Sequence, residues 1–342
     1  MAKKNLLLTL LLLIIQLAHA QNFSVQELTS GTETNLRGLS VVNDNVIWVS
    51  GSNGKVGRST NAGKNWKWMT INGFEKAEFR DIEAFGPNTA VVMASGEPAY
   101  MLKTTDAGET WKIVFHDDRK GMFLDAIDFF TPQYGIAVGD PVNGKIFFAE
   151  TRDAGDSWKQ IHADTVANRP DSGEAFFAAS GTNIRYFRNR RFYLVSGGRK
   201  SRLFSHNGVR PMPITQGKES AGANSIAVFD RGNMKGSSHF VVVGGDYLQD
   251  TLSTGNCFYT KNGGKTWKAP KEPPQGYKSC VEFMDKNELI TCGPTGVDIS
   301  FNGGRTWQKI SDQGFHVCRL ARFGTAVYLA GSNGRIARLA FP

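Results

Sequence analysis

The stretch Thr104-Thr105-Asp106-Ala107-Gly108-Glu109-Thr110-Trp111 decides the fold of this chain. Its pattern is a hydroxyl residue, then Asp or Asn, then Gly, then Trp three residues later, and it occurs five times. The other copies begin at Ser59, Thr151, Thr260 and Ser300, and Ser205-His206-Asn207-Gly208 is a degenerate copy without the Trp. Successive Trp residues of the pattern are 45, 47, 109 and 40 residues apart, and 109 corresponds to two repeats. A regular period of this size indicates a repeat architecture.

Each copy has the chemistry of a tight hairpin turn. Side chains of Ser, Thr, Asp and Asn bond to backbone groups two residues further along, which closes the turn. Glycine adopts the positive φ that the turn requires, and the Trp begins the returning strand with a large ring to bury. This is the Asp-box, or BNR, pattern. We interpret it as a structural element of a hairpin, distant from any active site.

A second signal precedes the boxes: a short apolar run that ends in Gly and is typical of a strand. It occurs seven times, at 46–51, 90–96, 135–139, 192–197, 240–244, 288–293 and 326–331. A further short strand is predicted upstream of each run, as at 36–42 and 79–85. Each unit therefore contains four antiparallel strands, with the box between the third and fourth. Seven such sheets predict an all-β, seven-bladed β-propeller.

The two ends of the chain predict how the ring closes. The last repeat stops after its third strand, at 331–342, and residues 22–28 form a strand without a unit of its own. We expect this first strand to complete blade seven. Residues 21–342 then form a single domain, which we expect to be a monomer.

Residues 1–20 have the pattern of a secretory signal peptide. Lys3 and Lys4 precede an apolar run from Leu6 to Leu17, and Ala18-His19-Ala20 is a small-x-small cleavage site. We expect cleavage after Ala20 and a protein that is periplasmic or secreted, without a transmembrane anchor. Loss of the two lysines lowers the formal net charge from +9 to +7.

The excess positive charge is scattered along the chain. Its densest run, Arg188-Asn189-Arg190-Arg191, falls in a predicted hairpin turn, without the aromatic platform or groove-binding helix of a nucleic-acid site. We therefore predict no nucleic-acid partner. The chain also has no HExxH, C-x-x-C or G-x-S-x-G motif and no metal-ligand spacing, so no metal, redox cofactor or other cofactor is predicted.

Four cysteines are present: Cys257, Cys280, Cys292 and Cys318. Cys280 and Cys292 are predicted to lie on adjacent strands. An oxidising compartment permits a disulfide between them, whereas cross-strand geometry is often unfavourable for one. The sequence leaves a disulfide and free buried thiols as alternatives.

The loops indicate which face of the propeller carries a site. The long connections at 162–180, 215–224, 248–255 and 268–278 all lie on the face opposite the Asp boxes, and insertions on one face are typical of a binding face. Polar residues of that face form the candidate ligand site: Arg37, Arg80, Glu97, Asp140, Glu174, Asp246, Tyr247, His316 and Arg335, with Asp81 and Asp125 beside them. The alternative is that these residues form a solvated rim without a ligand.

The boxes together with Leu36-Arg-Gly-Leu39, Phe79-Arg-Asp-Ile82, Gly139-Asp-Pro141, Gly244-Gly-Asp-Tyr247 and Gly331-x-x-Gly-Arg335 resemble one family. The chain is similar, over about residues 36–338, to exported bacterial relatives of the photosystem II stability/assembly factor, within the sialidase-like BNR superfamily. This resemblance implies a non-catalytic propeller that binds a protein partner, such as an envelope protein, or a carbohydrate. The photosynthetic role itself is not implied.

An enzymatic alternative follows from the same superfamily. By resemblance to sialidases, Arg37, Arg80 and Arg335 would grip a substrate carboxylate, Tyr247 with Glu174 would form the nucleophile pair, and Asp81 would be the acid. The chain departs from that pattern, since the Arg-Ile-Pro opening of sialidases is Arg37-Gly38-Leu39 here and sialidases usually have six blades.

Overall fold

The computed structural model describes residues 23–29, 31–161, 169–187, 189, 191–229 and 238–341. These residues form seven antiparallel sheets arranged as the blades of a propeller, which confirms the predicted fold class. Helical structure among them is limited to short 3-10 turns such as Tyr247–Gln249 and Ser332–Gly334. The predicted signal segment lies outside the described residues, as do 162–168 of the first long loop and two residues of the arginine run at 188–191.

Blades one to three each contain four consecutive strands. They are, in order, Leu36–Val41, Ile47–Gly51, Lys55–Ser59 and Lys67–Thr70 in blade one; Glu78–Ala84, Ala90–Ser95, Ala99–Thr104 and Lys112–Asp117 in blade two; and Leu124–Thr131, Tyr134–Val142, Lys145–Thr151 and Lys159–Gln160 in blade three.

Blades four to six continue the pattern, and two short strands are added to the sheet of blade five. The strands are Ile184–Phe187, Arg191–Val195, Arg202–Ser205 and Gly208–Pro211 in blade four; Ala221–Val228, Phe240–Asp246 and Cys257–Thr260 in blade five, extended by Glu174–Ala175 and Gly197–Gly198; and Cys280–Phe283, Leu289–Gly293, Gly296–Ser300 and Gln308–Ser311 in blade six.

Blade five differs from the predicted four-strand unit. Its outer strand is reduced to a single antiparallel bridge between Tyr259 and Lys268. The chain then continues through Pro270, Pro273 and Pro274. Proline has no N–H to donate to a ladder, so the strand cannot extend, and the segment instead crosses to blade six.

Blade seven is closed by the N-terminal strand, as predicted. Its own strands are Val317–Leu320, Val327–Ala330 and Ile336–Ala340, and Ser24–Thr29 pairs antiparallel with the last of them. The innermost strand of each blade contacts that of the next, and blade seven contacts blade one, so the ring is complete. Apolar side chains between neighbouring sheets form the core, and the fully buried aromatic ones include Trp48, Phe79, Phe148, Phe204 and Phe240.

The Asp-box turns have the predicted hydrogen bonds. In blade two, the Thr104 hydroxyl accepts from the Gly108 N–H at 2.9 Å and donates to Asp106 Oδ1 at 2.8 Å, and the same carboxylate oxygen accepts from the Thr110 N–H at 2.9 Å. One hydroxyl and one carboxylate thus satisfy most polar groups of the turn.

Each box also packs its blade against the preceding one. Gly108 has φ +85°, and a Cβ atom there would lie 2.3 Å from the sulfur of Met69 in blade one. The residue before it, Ala107, also has positive φ, at 67°. The turn therefore needs two consecutive left-handed residues, of which the second must be glycine because a neighbouring blade occupies the space.

All four cysteines are free and buried. Cys280 and Cys292 lie directly opposite each other on neighbouring strands, yet their thiols are not bonded. Instead the Cys280 thiol donates to the Cys318 carbonyl oxygen at 3.3 Å. Of the two alternatives that the sequence left open, the structure shows free buried thiols.

Candidate functional site

Irregularities at the start of the innermost strands place four polar side chains at one end of the central axis. In blades one, two, three and five the pairing with the second strand shifts by one residue, and the extra residues are Arg37, Arg80, Asp125 and Asn224. A bulge of this kind bends the strand and re-aims the side chain of the extra residue. The same bulge thus recurs in four blades on the face opposite the Asp boxes, and it carries arginine twice, aspartate once and asparagine once.

Three arginines surround His316 at this end of the axis. Arg37 and Arg80 come from bulges, whereas Arg335 follows the 3-10 turn Ser332–Gly334 of blade seven. Burial, followed by the positive charges of Arg37, Arg80 and Arg335, lowers the pKa of His316 to about 3. The imidazole is therefore neutral at pH 7, and its Nε2 lies 2.9 Å from the Ser332 hydroxyl. We call Arg37, Arg80, Arg335 and His316 the arginine mouth.

Each guanidinium of the arginine mouth is held by a limited set of contacts. Arg37 donates to the Ala179 carbonyl at 3.3 Å, and Arg335 donates to the Gly314 carbonyl at 2.8 Å. Arg80 faces the Glu78 carboxylate at 3.9 Å. Because a guanidinium has five N–H donors, each arginine keeps donors for a ligand. All three side chains are partly exposed.

The acidic residues beside the mouth do not neutralise it fully. Asp125 is wholly buried, and neither of its carboxylate oxygens has a hydrogen-bond partner among the described residues. Burial, and then the nearby Asp140, raise the pKa of Asp125 well above the usual range, which disfavours its charged form, while the charge of Arg80 acts in the opposite direction. Burial also raises the pKa of Asp140 to about 6, although that carboxylate accepts from the Phe176 N–H at 3.0 Å. The mouth is therefore a recessed cationic site that can accommodate an anionic group.

Two residues of the enzymatic alternative are structural. Asp81 has no exposed surface, and its carboxylate accepts from the N–H groups of Ile82 and Ile127, both at 2.9 Å. Glu174 is also buried and forms a two-pronged ion pair with Arg202. Both carboxyl groups are thus buried and bonded within the protein, which argues against Asp81 as an acid and against Glu174 as the partner of a nucleophile.

The remaining predicted residues, Glu97, Asp246 and Tyr247, have contacts outside the arginine mouth. Glu97 is exposed and accepts from the Gly121 N–H at 2.8 Å, which joins loops of blades two and three. Asp246 caps the turn Tyr247–Gln249 by accepting from the Leu248 N–H at 3.0 Å. Tyr247 is 48% exposed.

Sequence reasoning missed Tyr277 and Arg319. The Tyr277 hydroxyl donates to Asn224 Oδ1 at 2.8 Å, and the charge of Arg37 acts on this phenol. Arg319 is deeply buried near the axis and donates to the Ser180 carbonyl at 3.2 Å. Its charge acts on Asp81. Neither residue belongs to a recognisable sequence motif. Both are positioned by contacts between blades that are distant in sequence, and such contacts leave no local pattern.

Comparison with known proteins adds a family model and several similar folds. The model of the BNR/Asp-box repeat matches residues 258–269. No curated protein sequence matches the chain. Among the described residues, no helix is long and apolar enough to cross a membrane.

Solved structures of YCF48 are similar to this chain over nearly its whole length. YCF48 bound to D1 peptide superposes with a TM-score of 0.65 at 15% identity, over 94% of this chain and 96% of the other. YCF48 from Cyanidioschyzon merolae superposes with a TM-score of 0.66 at 17% identity, over 92% of this chain and 98% of the other. The WD40 propeller domain of Doa1 superposes with a TM-score of 0.60 at 11% identity, over 93% of this chain and 97% of the other. Together with the five boxes and the seven blades, these findings show that the chain is a BNR/Asp-box β-propeller with the fold of YCF48.

Proposed function

We propose that this chain is an exported, non-catalytic binding protein that recognises a protein ligand at the arginine mouth. The observation that carries the proposal is the grouping of Arg37, Arg80 and Arg335 around a neutral His316. Unpaired guanidinium N–H groups in a partly buried setting favour a carboxylate or another planar anion, because bidentate, charge-assisted hydrogen bonds are strong there.

The likeness to YCF48 supports a protein rather than a sugar as the ligand. One of the similar structures is YCF48 bound to D1 peptide, so this propeller fold can present a peptide-binding surface. The buried Asp81 and Glu174 argue against hydrolysis, because the acid and the nucleophile pair of a sialidase-like enzyme would both have to reach the substrate.

The test compares binding of acidic, neutral and basic peptides of equal length with binding of sialylated and neutral glycans. We expect the purified protein to prefer acidic peptides. An Arg335→Gln variant should lose that preference. Arg58→Gln is the matched control, because Arg58 also donates to a carbonyl, that of Ala107 at 3.3 Å, and lies over the ring of Trp48, but at an Asp box on the opposite face.

Two outcomes contradict the proposal. Equal binding of acidic and basic peptides by the wild-type protein would show that the mouth is not an anion site. Hydrolysis of fluorogenic sialosides that is lost in Arg335→Gln and kept in Arg58→Gln would favour the enzymatic alternative.

A further inference from the structure

A group of apolar side chains is exposed on the same face as the arginine mouth. After the second strand of blade five, Leu248 is 77% exposed, Leu252 is 54% exposed and Tyr247 is 48% exposed. Phe177 contacts the Tyr247 ring edge-on at 6.3 Å between centroids. We call Tyr247, Leu248, Leu252 and Phe177 the blade-five shelf. Adjacent exposed apolar side chains of this size indicate an interaction site.

The shelf is held in place by hydrogen bonds of its backbone. The N–H of Tyr247 donates to the Ser220 carbonyl at 3.2 Å, and the N–H of Leu252 donates to the Gln249 carbonyl at 3.0 Å. The carbonyl of Asp250 accepts from the Tyr277 N–H at 2.6 Å. The leucines are therefore presented to solvent by an ordered turn, and a ligand that covers them would not have to order the loop first.

An aromatic contact joins the shelf to the mouth. Tyr247 packs edge-on against Tyr277 at 6.4 Å between centroids, and Tyr277 is close enough to Arg37 for the arginine charge to act on its phenol. Arg37 in turn donates to the carbonyl of Ala179, two residues from Phe177. The cationic mouth and the apolar shelf are thus neighbouring parts of one surface.

We propose that mouth and shelf together bind one extended protein segment, in which an acidic group enters the mouth and a large apolar side chain covers the shelf. This rests on the proposed function and adds the chemical class of the segment. Because mouth and shelf are neighbouring parts of one surface and an extended chain advances about 3.3 Å per residue, a short stretch of chain should separate the acidic and apolar groups. Charge complementarity selects the acidic group, and the exposed leucines select the apolar one.

A peptide fits this surface better than an anionic membrane. The guanidinium groups of Arg37 and Arg335 are partly buried and tied to backbone carbonyls. A flat bilayer favours protruding lysines and a broad apolar face, whereas a narrow chain can reach a recessed cation. Binding to a membrane is therefore the competing outcome of the test.

The test uses three synthetic twelve-residue peptides. One carries Glu and Phe four residues apart, the second has Ser in place of Phe, and the third has Gln in place of Glu. We expect the first to bind most tightly to the wild-type protein. A Leu248→Ser/Leu252→Ser variant should weaken its binding about tenfold, because two apolar contacts are lost, and should leave binding of the Glu–Ser peptide unchanged.

The control variant is Phe323→Ser. Phe323 is 71% exposed, like the leucines, but lies in the turn between the first two strands of blade seven, on the Asp-box face. It should bind all three peptides as the wild-type protein does. Circular dichroism before and after heating checks that the shelf variant remains folded.

The outcomes separate the two proposals. The shelf variant could bind the Glu–Phe peptide as tightly as the wild type while Arg335→Gln weakens binding of both Glu peptides. In that case the proposed role of the shelf is wrong, and the proposed role of the arginine mouth is supported. If Arg335→Gln changes neither Glu peptide, the proposed function fails. If the protein binds phosphatidylglycerol vesicles through the shelf and binds none of the peptides, the proposed peptide ligand is wrong and the surface binds a membrane.

Discussion

Arg37 and Arg80 occupy the same position in neighbouring blades, and each is the extra residue where the innermost strand slips by one against its partner. The repeat thus brings two like charges together, and the charge of Arg80 adds to burial in lowering the pKa of Arg37. Such an arrangement does not favour folding. It is typical of a site where an anionic ligand supplies the missing counter-charge.

Replacing Arg80 with Gln should therefore stabilise the protein. Arg80 Nε is buried without a hydrogen-bond acceptor among the described residues, so we expect a gain of about 0.5–1 kcal/mol in the free energy of unfolding at low salt. Sulfate should raise the melting temperature of the wild type more than that of the variant. Arg322→Gln is the matched control, because Arg322 is similarly exposed but bonds to Glu83 at 2.8 Å, and it should be destabilised instead. A loss of stability in Arg80→Gln would contradict this account.

Asp81 should be a major contributor to stability rather than to binding. Its carboxyl group joins blades two and three through the N–H of Ile127. Burial raises the pKa of Asp81 well above the usual range, and the charge of the nearby Arg319 opposes that shift. An amide has one accepting oxygen, so Asp81→Asn leaves a buried donor unsatisfied, and we expect a loss of about 2–4 kcal/mol in urea unfolding. Asp44 provides the comparison, since it accepts from the Thr325 and Ala326 N–H groups, both at 2.8 Å, in a more exposed place. Both of these bonds go to one oxygen, Oδ1, which an amide retains, so Asp44→Asn should cost less. Equal losses would show that neither the second oxygen of Asp81 nor its burial is the cause.

Exchanging alanine and glycine at equivalent positions of two Asp boxes should change the stability of the protein in opposite directions. Ala107 has φ 67°, which is unfavourable for a residue with a Cβ, whereas Gly263 has φ 69° at the same place in blade five. We expect Ala107→Gly to stabilise the protein by about 0.5 kcal/mol and Gly263→Ala to destabilise it by about 1 kcal/mol. Thermal unfolding of both variants measures the pair. Two shifts of the same sign would show that the turns are not equivalent.

The stability of the protein should fall on acidification because of His316. Its pKa of about 3 in the folded state lies below the unfolded value of about 6.5, so the unfolded chain takes up the proton first. The stabilising contribution is complete above about pH 6.5 and is lost as the pH falls towards 3. His316→Asn should therefore lose about 2–3 kcal/mol less than the wild type between pH 7 and 4.5. NMR titration provides the direct check, and protonation of His316 near pH 6 would contradict it.

The four thiols should be unreactive in the native protein. All four are buried and free, so a reagent in solution does not reach them. A thiol reagent such as Ellman's should detect no thiol under native conditions and four after unfolding without reductant. Two thiols after unfolding would indicate a disulfide such as Cys280–Cys292.

Much of the architecture follows from the sequence because the information that specifies a blade is local. The Thr104 hydroxyl, the Asp106 carboxylate and Gly108 close one turn within eight residues, and five such turns at a regular spacing indicate the repeat. The strand Ser24–Thr29 was also predictable, since a repeat that lacks its fourth strand needs one from elsewhere.

The candidate site could be predicted only in part. The sequence by itself determined the number of blades and how the ring closes, and it suggested the face opposite the boxes and the residues of the arginine mouth as a candidate site. Only the tertiary structure decided that Arg37 and Arg80 are bulge residues beside His316, that Asp81 and Glu174 are buried, and that Tyr277 joins the mouth to the shelf. The physical reason is that the direction of a polar side chain depends on a one-residue slip in strand pairing and on contacts between blades far apart in sequence. Neither of these leaves a local pattern in the sequence.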